Sequence, residues 1–376
     1  MRPSISTLII VAFLPVLTAC LPAGLPAVTP SPASTEPAPA AATATVPPAT
    51  ATITVTPTET SPDAFPASAA IQKMQRGINM GNTLEAPREG EWGFRIEREH
   101  FRIIRAAGFD AVRLPTRWSA HAQPEAPYTI EPAFFARLDE VIGWALEEDL
   151  VVVLNIHHYE EMATEPQAHR ERFLALWRQI AERYKDYPPT LLFELMNEPN
   201  GALSARLWNE FVRESLAVIR ESNPTRNLIV GGVSWNAYDQ LRLLALPRDD
   251  RHLIATFHYY LPFEFTHQGA EWAGPAAQQW LGTPWNGTDE EKAEINRHFT
   301  LVEAWSKQQG IPVYLGEFGA YSKADMPSRI RWTQYVREQA EARGFAWAYW
   351  EFGAGFGAYD RASQAWREEL LRALIP

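Results

Sequence analysis

The sequence predicts an α/β protein built as a (β/α)8 TIM barrel, preceded by a signal peptide and a disordered Pro/Thr/Ala-rich linker. Three observations predict it. From Ile71 onward, short apolar runs of strand length alternate with amphipathic, Arg/Glu-rich stretches of helix length. Eight such runs over roughly 300 residues are the number that closes a parallel barrel; a doubly wound sheet normally has fewer. Nearly every run ends in a polar or aromatic residue, as expected where the C-terminal ends of the strands converge on one pocket.

Residues 1–19 have the pattern of a lipoprotein signal peptide. Arg2 gives a positive start, and residues 8–17 form an apolar core too short for a comfortable membrane span. The segment ends in LTAC, similar to a bacterial lipobox, which makes Cys20 the expected lipid attachment point. Cys20 is the single cysteine of the chain, so no intramolecular disulfide can form. The expected address is extracytoplasmic, on a bacterial cell surface, with membrane contact only through this N-terminal anchor. If the lipobox reading fails, the segment is an ordinary secretion signal.

Residues 20–70 are the linker. They are dominated by Pro, Ala, Thr and Ser and carry too few large apolar side chains to offset the entropy of ordering. Repeated proline makes such a spacer semi-extended. The folded domain is expected over 71–376. The whole chain of 376 residues is 46% hydrophobic, enough for a sizeable core. Its formal charge of −11 argues against nucleic acid and anionic membranes as partners and is compatible with a neutral polysaccharide. Fourteen Trp and twelve Tyr supply flat faces of the kind that sugar rings stack on.

In chain order, the first run, 77–80, ends in NMGNTLE, which offers Asn79, Asn82 and Glu85. A helix is expected over 97–107, then a second run, 111–114, with Arg113 in VRLP. A helix over 134–148 leads to the third run, 150–155, which presents His157 and His158 in LNIHHY. Adjacent strand residues point to opposite sides, so one of the two is expected to face away from the barrel centre, and His157 is the better contact candidate. A helix over 171–184 precedes the fourth run, 191–195, followed by MNEP with Asn197 and Glu198. A helix over 207–221 and a run at 227–230 come next, then a weaker helical stretch at 237–244. The sixth run, 253–258, carries His258 and Tyr260 in FHYY. A helix over 290–309 leads to the seventh run, 312–315, with Glu317 in LGEFG. A helix over 328–343 leads to the last run, 345–350, which ends in Trp350. Trp118, Trp235, Trp272 and Trp285 fall on loops after strands and are candidates for lining the pocket.

Two glutamates at the ends of two parallel strands are what retaining glycoside hydrolysis needs: a general acid/base and a nucleophile. Glu317 should stay ionised, held by Arg113 and Tyr260; Glu198 should start protonated, its pKa raised by the Glu317 charge. Asn197 is placed to bond a sugar 2-OH, His157 and His258 to position carboxylates or hydroxyls, and Trp350 to floor the cleavage point. A metal centre is not expected. His157–His158 lacks the alternation of an HxH pair, and no suitable Asp ends the eighth run. No cofactor is expected either, because the glycine-rich 353–357 segment lacks GxGxxG.

Taken in order, Arg113, His157, Asn197, Glu198, His258, Tyr260, Glu317 and Trp350 resemble glycoside hydrolase family 5, over residues 71–376. RGINMGNTLEAPREGEWG, IHHYEE and FHYYLPFEFTHQGAEW look like the thermophile-type cellulases of that family, some of which also cut β-mannans. The resemblance implies retaining cleavage of internal β-1,4 bonds, most simply as an endo-β-1,4-glucanase, with β-mannan or a dual specificity as the alternative. It also implies sugar contacts from His158 and His267. A glycan-binding lipoprotein without activity is the contrasting hypothesis, and an intact acid and nucleophile argue against it.

Overall fold

Eight parallel strands close into a barrel in sequence order, with β8 pairing back onto β1. The structure, a computed structural model, describes residues 65–376. The expected signal peptide, Cys20 and almost all of the expected linker lie outside these residues. The strands are β1 (Arg76–Asn79), β2 (Ala111–Leu114), β3 (Val151–Asn155), β4 (Leu191–Glu194), β5 (Leu228–Gly231), β6 (Leu253–Tyr259), β7 (Val313–Phe318) and β8 (Ala346–Tyr349). Helices Arg98–Ala106, Pro132–Glu147, Arg170–Tyr184, Ala205–Arg220, Asp289–Gln309 and Met326–Glu341 cover the outside. The weak helical stretch between β5 and β6 is a 3₁₀ helix, Tyr238–Leu243.

Side-chain alternation divides the core in two. Val152 and Leu154 pack outward under the helices, whereas Val151 and Val153 join Leu192, Ile229, Ile254 and Tyr314 inside the barrel. A helix that the sequence pattern does not reveal, Ala67–Lys73, closes the bottom of this inner cluster with Ala67, Ala70 and Ile71, and Met74 follows it. The Ala67 amide donates to the Arg251 carbonyl at 2.9 Å, and Asn227 Nδ2 donates to the Phe65 carbonyl at 2.9 Å. Both partners lie just ahead of β5 and β6, at the N-terminal ends of the strands. The folded domain therefore includes residues ahead of the boundary expected at Ile71.

β7 departs from regular alternation. Phe257 pairs with Leu315 and then His258 with Glu317, which leaves Gly316 as an extra residue in a bulge. Tyr314 faces the barrel interior and Leu315 the helices, so strict alternation would turn Glu317 outward. The bulge resets the phase and Glu317 faces in. Glycine is required at 316, because a Cβ there would lie 2.8 Å from Thr256 Oγ1 and 3.0 Å from His258 Nε2. The glutamate is thus inside the strand rather than just beyond it.

At the C-terminal edge, helix Glu368–Leu374 packs beside Met326–Glu341, with Arg337 Nε donating to the Ala373 carbonyl at 2.8 Å. Among the described residues no helix is long and apolar enough to cross a membrane.

Candidate active site

Arg113 is the centre of the site. It points into the barrel from β2, is fully buried, and uses every N–H it has. Nε and Nη2 grip Glu194 at 2.6 and 2.9 Å, Nη1 donates to Glu317 Oε1 at 2.6 Å and to Asn79 Oδ1 at 2.9 Å, and Nη2 donates to Asn197 Oδ1 at 2.8 Å. Burial works against the guanidinium charge, but the Glu194 and Glu317 carboxylates outweigh it and raise the pKa above the ordinary arginine value. Asn79 is held in turn, its amide nitrogen donating to the Gly316 and Tyr349 carbonyls at 3.0 and 3.2 Å. It orients Arg113 from its register position on the neighbouring strand β1.

The second oxygen of Glu317 accepts from the Tyr260 hydroxyl at 2.8 Å. Burial and the Glu317 charge raise the Tyr260 pKa, so the hydroxyl stays a donor. Glu198 reaches over from the loop after β4, with its backbone in the left-handed region at φ 48°. Its Oε1 lies 2.7 Å from His258 Nδ1, and the same nitrogen is 3.6 Å from Glu317 Oε2. An oxygen of each carboxylate and this His258 nitrogen all lie within 4.8 Å of one another. That compactness suits retaining chemistry, which places the carboxyl groups about 5–5.5 Å apart, rather than inverting chemistry, which needs room for a water.

The environments of the two acids differ. Burial pushes Glu198 up to about 7, with Arg113 pulling it back and Glu194 adding to the rise. Desolvation, aided by Glu194, thus takes the place of the expected cause, the Glu317 charge. Burial also raises Glu317 above the usual carboxylate range, against His258 and Arg113, which lower it. So Arg113 and Tyr260 hold Glu317 as expected without bringing it below its ordinary value. Arginine cannot accept a proton bond, so the Glu317 oxygen facing Arg113 must present a lone pair. No guanidinium bonds to the Glu198 oxygens, and its Oε1 faces His258 Nδ1 instead.

The histidines after β3 correct one expectation. The strand ends at Asn155, and His158 adopts φ 46°, which breaks the alternation. Both rings lie on the site side, 4.6 Å apart and edge to face. His157 stacks on Trp350 at 5.9 Å and 16°, and His158 meets Trp92 edge-on at 5.7 Å. Burial lowers both imidazole pKa values, His158 to about 4. His267 stacks on Phe263 at 4.0 Å and meets Tyr260 edge-on at 5.0 Å. Trp272 is exposed and lies edge-on to Tyr321 at 4.8 Å.

Glu85 is buried and folds back onto its own turn, accepting from the Asn82 and Thr83 backbone amides. It shapes the loop after β1 without touching the carboxylate pair. Trp118 and Trp285 are buried away from the carboxylate pair, Trp118 against Phe134 and Phe135 and Trp285 against Tyr335. The Trp118 indole donates to the Asn155 carbonyl at 2.9 Å. Trp235 is 60% exposed and stands beside the acid loop, its amide donating to the Pro199 carbonyl at 3.2 Å.

Three site residues are absent from the sequence-based set. Glu194 is the bidentate partner of Arg113. Asn155 donates to Glu194 at 3.4 Å and contacts His157 Nδ1 at 3.2 Å. Asn236 contacts His258 Nε2 at 3.3 Å. Glu194 carries a detectable signal: it follows Leu192 by two in LLFEL, a charge in the inward phase of an otherwise apolar strand. Glu198, His258 and Glu317 are close enough to offer three ligand atoms to a cation. The Arg113 guanidinium, 2.6 Å from Glu317, already supplies a fixed positive charge there and opposes a second one.

Comparison with known proteins follows the same lines. Residues 70–355 match the family model described as Cellulase (glycosyl hydrolase family 5). Endoglucanase H of Acetivibrio thermocellus is 40% identical over 323 residues, covering 84% of this chain and 34% of that protein. The chain thus spans about a third of that relative. A solved hyperthermophilic endo-β-1,4-glucanase in complex with substrate is 47% identical, with a TM-score of 0.81 over 82% of this chain and 99% of the other. Thermotoga maritima Cel5A in complex with mannotriose is 49% identical, with a TM-score of 0.80 and the same coverage. Its complex with cellobiose is also solved.

Proposed function

The chain belongs to glycosyl hydrolase family 5, and from that premise we propose that it cuts internal β-1,4-glucosidic bonds of polysaccharides by a retaining double displacement. The observation that carries this is the compact triangle of Glu198, His258 and Glu317, with Glu317 clamped between Arg113 and Tyr260. Glu317 attacks the anomeric carbon while Glu198 gives its proton to the departing glycosidic oxygen, leaving a glycosyl ester on Glu317. Glu198, now a carboxylate, takes a proton from water as that water attacks the same carbon and releases Glu317.

Further roles follow from position. With Oδ1 occupied by Arg113, Asn197 has its amide N–H free for the sugar 2-OH. The Trp350 and His157 stack floors the cleavage point, and His158, His267 and Trp272 reach the sugar on either side. Asn79 and Glu85 act indirectly, through Arg113 and through the loop after β1.

One observation favours a second reading, a dual glucanase and mannanase: the Cel5A relative has been solved with both cellobiose and mannotriose. Reducing-sugar release from carboxymethylcellulose, mixed-linkage β-glucan, xyloglucan and mannan separates the two. Proton NMR of fresh cello-oligosaccharide product should show the β-anomer first. An initial α-anomer would overturn the retaining mechanism.

We also propose that Cys20 carries lipid, because LTAC directly follows a short apolar core. Full-length protein should then partition with membranes and take up a palmitate analogue, and Cys20→Ser should do neither. Unlabelled wild type in the culture medium would make the segment a plain secretion signal.

A further inference from the structure

Resting on the reaction just described, we propose that Asn236 is a positioning residue. It fixes the tautomer of His258 and, through it, which oxygen of Glu198 carries the acid proton.

The argument starts from backbone. Ser234, Trp235 and Asn236 all adopt left-handed conformations, with φ of 56°, 60° and 55°. Three consecutive non-glycine residues in this region are disfavoured, and such runs persist where the surrounding structure holds them for a purpose. The turn delivers the Asn236 side chain, fully buried, to His258 Nε2 at 3.3 Å. Gly231 makes the room, since a Cβ there would overlap the Asn236 amide.

The other side of the ring settles the roles. His258 Nδ1 faces Glu198 Oε1 at 2.7 Å and Glu317 Oε2 at 3.6 Å. Glu317 receives bonds from Arg113 and Tyr260 and is an anion. A lone pair on Nδ1 would be repelled by these oxygens, whereas an N–H is attracted, so Nδ1 carries the hydrogen. The charged groups around the ring are Glu198, Glu317, Arg113 and Glu194. Burial pushes His258 down to about 4, against Glu317, so the ring holds one proton only. Nε2 is then a lone pair that needs a donor, and Asn236 Nδ2 is that donor.

The consequence reaches Glu198. Nδ1–H occupies Oε1, which leaves the acid proton for Oε2 and the leaving group. With the amide reversed, Asn236 Oδ1 would draw the hydrogen to Nε2. Nδ1 would then accept the Glu198 proton and hold it away from the substrate.

Nitrogen-15 NMR of the His258 ring in the full chain reads this directly, with and without Asn236→Asp, which offers only acceptors. Wild type should show protonated Nδ1 and bare Nε2, and Asn236→Asp should protonate Nε2. Asn236→Ala should lose the single-tautomer signature. In kinetics, Asn236→Asp should lower kcat/KM on cello-oligosaccharides about tenfold through kcat. It should lose less on a dinitrophenyl cellobioside, whose leaving group needs no proton. A bare Nδ1 in wild type overturns the proposal, as does equal loss on both substrates. If wild type cleaves no glycan, the proposed function fails instead, while the ring spectra still decide the tautomer.

Discussion

Glu317→Gln should abolish turnover of both polysaccharides and activated aryl glycosides, a loss on the order of 10⁵-fold. No leaving group is good enough to dispense with a nucleophile held 2.6 Å from a buried guanidinium and 2.8 Å from a tyrosine hydroxyl. Glu198→Gln should behave differently, retaining activity where the leaving group departs without a proton. Small-anion rescue distinguishes the two. Azide should restore Glu198→Ala with a β-glycosyl azide and Glu317→Ala with an α-glycosyl azide. The reverse pairing of products would exchange the two roles.

Arg113→Ala should cost about 3–5 kcal/mol of stability as well as activity. The reason is the company it leaves behind. Glu194 is completely buried, Glu317 is nearly so, and Arg113 is the guanidinium that pairs with both. Removing it strands two carboxylates without solvent. Lysine should not rescue it, because one ammonium cannot reproduce a planar fork that serves four side chains. Urea unfolding of the variant is the measurement; a change below about 1 kcal/mol would show that the network is not held together by this charge.

The strands were legible because each is a nearly continuous apolar run buried on both faces, which survives errors of a residue or two at the ends. The site was legible as a set of strand ends rather than as orientations. Alternation alone would turn Glu317 to the helices, and the Gly316 bulge that turns it back leaves no periodic signal. Alternation likewise separates His157 from His158, but the chain leaves the strand at Asn155, and a left-handed residue brings both rings to one side. Glu194 was readable in principle, as an inward charge in LLFEL, but the apolar run reads on through Leu195 and hides that β4 ends at Glu194. Asn236 was not, because its place depends on a three-residue left-handed turn with no glycine. Trp118 and Trp285 show the opposite error: a loop position in sequence says nothing of whether the side chain folds under a helix. The Ala67–Lys73 helix was hidden by composition, since its alanines continue those of the linker.

That helix has a practical consequence for attachment. It seals the barrel at the N-terminal ends of the strands, while Glu198 and Glu317 open at the opposite ends. Phe65, the first described residue, therefore lies at the closed face of the domain. A support or label coupled at Phe65 itself would sit at the sealed end, and long, rigid polymers would keep an unobstructed approach to the carboxylates. Coupling through loops such as those bearing Trp235 or Trp272 would block that approach.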